Sequence, residues 1–266
     1  MSLQDEVWAG VALVRQRAPL VHNITNYVAM DVTANALLAL GASPAMVHAE
    51  AEVADFVAIS QALVVNIGTL SPAWVQAMHL AVDAAVASGK PWVLDPVGAG
   101  ATAYRTGVAR ELAARHPAVV RGNASEVLAL SGGEGRTRGV DSVDPTEAAL
   151  VSARELARGW RCVVAVSGAT DLVTDGTRLL KVRNGHEMMT RVTALGCTVT
   201  AVTGALLGVG LAPLLAAAGA LAVVGLCGER AVERADGPGS LRMHLIDELY
   251  TLDGATFLAG VSITEV

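Results

Sequence analysis

Short apolar runs alternate with segments of helical periodicity along most of the chain. Runs rich in β-branched residues predict buried strands, and apolar residues three and four apart predict helices. The predicted strands occupy residues 19–22, 45–47, 62–66, 92–94, 118–120 and 162–166. The predicted helices occupy residues 3–17, 28–40, 51–59, 72–88, 104–115, 124–130 and 145–158. This alternation predicts an α/β fold, with a mostly parallel central sheet covered by helices on both faces.

The C-terminal part of the chain has a different pattern. The apolar runs 171–174 and 178–182 flank an Asp-Gly pair, which predicts a hairpin. Residues 192–228 contain no charged side chain and are long enough to span a bilayer. Glycines and Pro213 interrupt this stretch, so it predicts two buried helices joined by a turn instead. The remainder, to residue 266, is predicted to be helical.

No repeat or linker divides the sequence, so we expect a single domain over residues 1–266. The stretch 132–144 is rich in Gly, Arg and Ser and predicts a mobile surface loop.

Composition narrows the functional classes. Apolar residues make up 53% of the chain and aromatics only 3%, so the core is expected to consist of small aliphatic side chains. The formal net charge is −6 and no basic cluster occurs, which argues against a nucleic-acid partner. The three cysteines fit no zinc spacing, and the first ten residues lack the pattern of a signal peptide. We therefore expect a reduced, cytoplasmic protein without a membrane partner.

Polar residues in this apolar chain concentrate where predicted strands end, the edge at which parallel sheets bind ligands. Gly196-Cys197-Thr198 opens a helix, and the free amides of a helix N-terminus attract phosphate. An ordinary Gly turn with a capping Thr is the alternative. Asp95, in an Asp-Pro loop, is a candidate Mg²⁺ ligand, although Asp-Pro turns are common without any function.

A third polar segment, Arg121-Gly122-Asn123-Ala124-Ser125-Glu126, follows another predicted strand. The Arg121 side chain is suited to a nucleotide phosphate, and Glu126 to Mg²⁺ or its waters. Helix capping by Asn123 and Glu126 explains the same residues without function. The P-loop, protein-kinase and dinucleotide signatures do not occur.

Taken together, the motifs resemble those of hydroxyethylthiazole kinases. The resemblance rests on segments 19–26, 34–35, 41–46, 95–100 and 121–126 and on Gly196-Cys197, in order across nearly the whole chain. It implies a ribokinase-like three-layer sandwich, a usual homotrimer, and ATP- and Mg²⁺-dependent phosphorylation of 4-methyl-5-(2-hydroxyethyl)thiazole in thiamine salvage. At Ala194 and Leu195 the chain departs from the Thr-Gly-Thr-Gly-Cys sequence common in that family.

The resemblance also implies roles for individual residues. They are Met46, Asn26 and Ala194 at the thiazole, Arg121, Ser167 and Asn123 at ATP, Asp95 and Glu126 at Mg²⁺, and Gly196 and Cys197 at the reacting groups. Backbone amides of Gly196 and Cys197 are expected to stabilise the transferring phosphoryl group. Cys197 stands where related kinases have a catalytic Asp, and the helix N-terminus is expected to favour its thiolate.

Three other functions stay open on the sequence. A hydroxymethylpyrimidine or pyridoxal kinase would share the fold but typically carries Asp at the position of Cys197. A hydrolase could use Cys197 with His186. A sensor of thiazole or nucleotide would bind ligand without ATP turnover.

Overall fold

The computed structural model describes residues 2–132 and 145–266. The strands are β1 (Leu20–Ile24), β2 (Ser43–Met46), β3 (Ala62–Asn66), β4 (Trp92–Asp95), β5 (Val119–Asn123), β6 (Val163–Ser167), β7 (Asp171–Thr174), β8 (Leu179–Val182) and β9 (Ile263–Glu265). They form a nine-stranded sheet in the order β2-β1-β3-β4-β5-β6-β7-β8-β9. Pairings from β2 through β6 are parallel, and those from β6 through β9 are antiparallel. The predicted mostly parallel sheet and the predicted hairpin are confirmed.

Helices occupy the connections between the strands. They are α1 (Leu3–Arg17), α2 (Met30–Leu40), α3 (Val53–Ile59), α4 (Pro72–Ala87), α5 (Ala103–Ala113), α6 (Ala124–Leu130), α7 (Pro145–Trp160), α8 (Leu195–Gly208), α9 (Pro213–Val232), α10 (Pro238–Thr251) and α11 (Gly254–Gly260). A 3₁₀ helix at Glu187–Arg191 precedes α8.

The sheet separates two apolar cores. One contains buried residues of α1, α2, α8, α9, α10 and α11, and the other contains buried residues of α3 to α7. Strand residues contribute to both cores because alternate side chains point to opposite faces. The predicted three-layer sandwich is therefore confirmed.

The uncharged stretch folds as the predicted pair of helices, α8 and α9, with Pro213 at the start of α9. Helix α9 is long and apolar enough to cross a membrane, with a mean hydropathy of 1.6 over its most apolar 18 residues. However, 83% of this 18-residue segment is buried inside the protein. Small residues bring these helices close to their neighbours. A Cβ built on Gly204 of α8 would lie 2.7 Å from a methyl group of Val64 in β3.

The structure corrects the sequence predictions at a few element ends. Residues 263–265, predicted as helix, form strand β9, which pairs with β8 and contributes only Ile263 to the core. A three-residue strand with one buried side chain leaves no periodic signal. Strand β1 continues to Ile24, beyond its predicted end at residue 22, because Ile24 is buried and pairs with Val65. The predicted loop at 132–144 lies outside the described residues apart from Gly132.

Candidate active site

The carboxyl ends of β3 and β4 form the floor of the site. These strands are parallel neighbours, and their register places Asn66 beside Asp95. The Asn66 amide nitrogen donates to Asp95 Oδ2 over 2.8 Å, and the Thr200 hydroxyl of α8 donates to the same oxygen over 2.8 Å. The second oxygen, Asp95 Oδ1, is buried without a hydrogen-bond partner among the described residues. One carboxylate oxygen is thus held by the protein, and the other is left for a ligand.

The environment of Asp95 disfavours its charged form. The side chain is fully buried, and this burial raises its pKa to about 6. The charge of Glu126 acts in the same direction, while Arg121 and the hydrogen bonds from Thr200 and Asn66 oppose it. A bound cation would favour the ionised carboxylate, so the site is electrostatically suited to one.

Arg121 lies in the middle of β5, where its side chain contacts both Ser167 of the neighbouring strand and the start of α8. Its Nη2 donates to the Ser167 hydroxyl over 2.9 Å, and its Nε is buried without a partner among the described residues. A Cβ built on Gly196 would lie 2.5 Å from Arg121 Nη1. The guanidinium therefore rests against the glycine in the first turn of α8.

Two of the predicted metal and nucleotide residues also have a local structural role. Asn123 and Glu126 form a capping box at the start of α6, as the structural alternative required. Glu126 Oε2 accepts from the Asn123 amide and Oε1 accepts from the Gly98 amide, both over 2.8 Å. Glu126 thereby ties the loop after β4, which follows Asp95, to α6.

Cys197 lies beside this floor, in the first turn of α8. Its sulfur accepts hydrogen bonds from the side-chain amides of Asn66, at 3.2 Å, and Asn26, at 3.5 Å. Burial, together with the charge of Asp95, raises the pKa of the Cys197 thiol to about 11. Desolvation outweighs the favourable interactions with Asn26, Asn66 and Arg121, so these surroundings oppose the thiolate that a helix N-terminus would favour.

Helix α8 begins at an unusual backbone position. Ala194 is its N-cap residue and adopts a left-handed conformation with φ of 67° and no side-chain cap. The Thr198 amide bonds the Ala194 carbonyl. The preceding amides, those of residues 195–197, precede the first complete helical turn and have no partner within the helix. An anion in front of α8 would meet these amides and the positive end of the helix dipole.

Two cavities meet at this point. The smaller, of about 380 Å³, is bordered by Asn26, Asp95, Asn123, Glu126, Ala194 and Cys197. The larger, of about 650 Å³, lies between the β6–β7 turn, the 3₁₀ helix and helices α8 and α9. Arg121, Ser167 and Gly196 border both. Nine of the ten predicted site residues therefore border the smaller cavity.

Met46 is the predicted residue that lies elsewhere. It ends the edge strand β2, opposite Asn23 of β1, and borders neither cavity. His186, the partner required by the hydrolase interpretation, borders only the larger cavity, and its Nδ1 accepts from the Met188 amide. Cys197 borders only the smaller cavity. The structure gives no support for a Cys197–His186 pair.

Sequence reasoning assigned no role to three residues that organise the site. Asn66 was recognisable as a polar residue at a strand end, and Thr200 as a hydroxyl in an apolar helix. Arg105 had no recognisable motif in the sequence, because its role depends on contacts with residues distant in the chain. Its guanidinium bonds the carbonyls of Ile67, Gly68 and Val97, and so joins the loops after β3 and β4.

Comparison with known proteins identifies the family. A profile described as "Hydroxyethylthiazole kinase family" matches residues 11–255. The chain belongs to the hydroxyethylthiazole kinase family. The hydroxyethylthiazole kinase of Granulibacter bethesdensis is 56% identical to it over 92% of this chain and 89% of the relative. That of Nitratidesulfovibrio vulgaris is 52% identical over 97% of each chain. The predicted family and a kinase activity are confirmed.

Solved structures agree with this assignment. The hydroxyethylthiazole kinase of Pyrococcus horikoshii OT3 superposes with a TM-score of 0.92 at 44% identity, covering 98% of this chain and 99% of that one. A Staphylococcus aureus pyridoxal kinase in complex with AMP-PCP and pyridoxal gives a TM-score of 0.68 at 18% identity, over 93% of this chain and 99% of that one. The second comparison confirms the predicted ribokinase-like fold alone.

Proposed function

We propose that this protein transfers the γ-phosphoryl group of ATP to the hydroxyl of 4-methyl-5-(2-hydroxyethyl)thiazole where its two cavities adjoin. The observation that carries the proposal is the border shared by the cavities, formed by Arg121, Ser167 and Gly196. A guanidinium, a hydroxyl and helix amides at one point suit a phosphoryl group passing between two ligands. Because the transition state is loose, positioning and charge stabilisation supply most of the catalysis.

The larger cavity suits the nucleotide. Leu195 and Val199 of α8 and Leu221 and Val224 of α9 give it an apolar wall for a base. Arg121 and Ser167 at its inner end would hold the phosphates. Asn123 borders only the smaller cavity, and its side-chain oxygen caps α6. Its contribution to ATP binding is therefore to fix the segment that follows Arg121.

The smaller cavity suits the thiazole alcohol. Asn26 and Ala194 border it, together with the side chain of Val28. Cys197 would lie beside the acceptor hydroxyl. Since its sulfur already accepts from two amides and its thiol is neutral, the S–H group is left to donate into the cavity rather than to act as a base.

We assign the Mg²⁺ site to Asp95 and Glu126. The described residues contain no cluster of three or more acidic, His or Cys side chains that would hold a metal alone. Mg²⁺ commonly uses one or two carboxylates plus water and nucleotide phosphates, so two are sufficient. The buried, unpartnered Asp95 Oδ1 fits such a ligand. Each oxygen of Glu126 accepts one amide and keeps a second lone pair for a bound water. The ion, when bound, would neutralise charge on the phosphates.

We further propose a cytoplasmic homotrimer whose chains each form a single domain over residues 1–266. The continuous nine-stranded sheet supports the single domain. Tyr27 and Val28, beside the smaller cavity, are 64% and 63% exposed and together form an apolar surface that another subunit could cover. An adjoining subunit would cover them and bring Met46 of the partner subunit to the thiazole.

A substrate comparison tests the proposal. ATP consumption and phosphorylated product would be measured with the thiazole alcohol, hydroxymethylpyrimidine and pyridoxal, each with Mg²⁺ and with EDTA. We expect Mg²⁺-dependent product with the thiazole alcohol, at a kcat/KM at least about tenfold above either alternative. A preference for pyridoxal or the pyrimidine would overturn the substrate assignment. Ligand binding without any turnover would instead favour the sensor.

A further inference from the structure

Of the three threonines in helix α8, Thr200 alone has a side-chain acceptor, the carboxylate of Asp95, among the described residues. The hydroxyl oxygens of Thr198, Thr200 and Thr203 each lie within hydrogen-bond distance of a carbonyl one turn earlier in the helix, at 3.0, 3.2 and 2.9 Å respectively. Such bonds satisfy a buried hydroxyl and need no function. The Thr200 hydroxyl also lies 2.8 Å from Asp95 Oδ2, a shorter distance than that to the Gly196 carbonyl. A hydroxyl has one hydrogen, and a carboxylate is the stronger acceptor, so Thr200 donates to Asp95.

The arrangement gives the two oxygens of Asp95 different roles. Oδ2 accepts one hydrogen bond from Thr200 of α8 and one from Asn66 of β3. Oδ1 has no partner among the residues that the structure describes. Two donors to one oxygen restrict the rotation of the carboxylate about the Cβ–Cγ bond of Asp95. Asp95 Oδ1, which has no partner, is consequently held in one orientation at the edge of the smaller cavity.

Asn66 cannot supply this restraint by itself. Its amide nitrogen also donates to Cys197, and its oxygen accepts from the Asn26 side chain and from the Gly68 amide. The orientation of Asn66 therefore depends on Cys197, Asn26 and Gly68 as well as on Asp95. Thr200, by contrast, is completely buried in a helix and has a β-branched side chain with restricted rotation.

We propose that Thr200 is a positioning residue, which holds the Asp95 carboxylate so that its free oxygen is ready for the metal–nucleotide complex. The proposal rests on the Mg²⁺ assignment made above. Thr200 lies one turn after Gly196 in α8, so the helix itself connects the metal ligand to the turn whose amides face the phosphoryl group. Loss of the hydroxyl should weaken the cooperation between Mg²⁺ and ATP more than it weakens ATP binding alone.

Calorimetric binding of ATP, measured with Mg²⁺ and with EDTA, tests this in the full-length protein. Thr200→Val removes the hydroxyl and keeps the side-chain shape. We expect the Kd of ATP with Mg²⁺ to rise about tenfold, the effect of losing one hydrogen bond to a charged group, while the Kd in EDTA stays within about twofold. The Mg²⁺ concentration for half-maximal phosphorylation should rise in parallel. Thr200→Ser, which retains the hydroxyl, should restore both values.

Thr203→Val is the matched control, since it removes a buried hydroxyl from the same helix without touching Asp95. Thermal unfolding of the unliganded variants reports any general cost of the substitutions. Equal losses of ATP affinity with Mg²⁺ and with EDTA in Thr200→Val would overturn the proposal, as would equal effects of the two valine variants. Asp95→Asn distinguishes a failure of the proposed role of Thr200 from a failure of the Mg²⁺ assignment. If it abolishes the Mg²⁺ effect while Thr200→Val does not, only the role of Thr200 fails. If it too leaves the Mg²⁺ effect intact, the metal assignment fails.

Discussion

The guanidinium of Arg121 lies against the backbone of Gly196, where an added Cβ would come within 2.5 Å of Nη1. A side chain at position 196 must therefore displace Arg121 from the border of the two cavities. We expect Gly196→Ala to fold normally and to raise the KM for ATP about tenfold, the cost of one displaced charge-assisted contact. Gly107→Ala, in the middle of α5 with no atom near its Cβ, is the control. An unchanged KM for ATP would show that Arg121 does not hold the nucleotide.

The two proposed metal ligands should respond differently to neutral substitution. Asp95→Asn should weaken the Mg²⁺ dependence with little loss of stability, because it removes an unfavourable buried charge. Glu126→Gln should weaken the Mg²⁺ dependence and also lower the free energy of unfolding by about 1 kcal/mol, because an amide cannot accept from both backbone N–H groups. Mg²⁺ titration of activity and denaturant unfolding measure the two effects. Unaltered Mg²⁺ titrations in both variants would remove these residues from the site.

Cys197 is expected to assist the reaction without being essential. Because its thiol is neutral, Cys197→Ala should reduce kcat by at most about 10²-fold, the lower limit of typical base catalysis. Cys197→Asp should retain or raise activity, since Asn26 and Asn66 already point donors at this position. Phosphorylation of the thiazole alcohol at saturating Mg²⁺ compares the variants. A folded, ATP-binding Cys197→Asp protein without activity would contradict this account.

Complementation can test whether the active site is shared between subunits. Light scattering should give three times the chain mass of 27.2 kDa. Met46→Asp and Arg121→Ala should each be nearly inactive alone. Met46→Asp damages the residue that each chain contributes to the site of a neighbouring subunit, and Arg121→Ala damages the site within the same chain. Mixed trimers refolded from both chains should recover activity, since some sites then contain both native residues. An active monomer, or no recovery in verified mixed trimers, would argue against a shared site.

Close packing of α8 on the sheet predicts a stability difference between two glycine substitutions. A Cβ on Gly204 would lie 2.7 Å from Val64 and 3.1 Å from Val21. Gly204→Ala should therefore lower the free energy of unfolding by roughly 1–3 kcal/mol, the usual cost of overpacking. Gly107→Ala should raise it by about 0.5–1 kcal/mol, since alanine favours helix and no clash opposes it. Chemical denaturation measures the free energy of unfolding of both variants. A Gly204→Ala protein at least as stable as Gly107→Ala would show that α8 packs less closely on the sheet.

The sequence determined the order of helices and strands, because each element carries its own periodicity, caps and breakers. It also placed Asp95 and Ser167 correctly at the ends of parallel strands, which meet at one edge of a sheet. Arg121, predicted to follow its strand, lies within β5 because the strand pairs with β6 as far as Asn123. The motifs were sufficient for the family because they recur in order over nearly the whole chain. Strand β9 escaped prediction, since its stability comes from pairing with β8 rather than from its own three residues.

Only the tertiary structure decided how the residues of the site act on one another. Burial of Cys197 makes its thiol neutral, although a helix N-terminus viewed in the sequence suggests a thiolate. The contact of Thr200 with Asp95 joins residues 105 positions apart, and no local pattern encodes such a contact. Desolvation and hydrogen bonding depend on which side chains surround a group in space. Residue types and their order therefore defined the chemistry available, and packing selected the protonation states and orientations in which it is used.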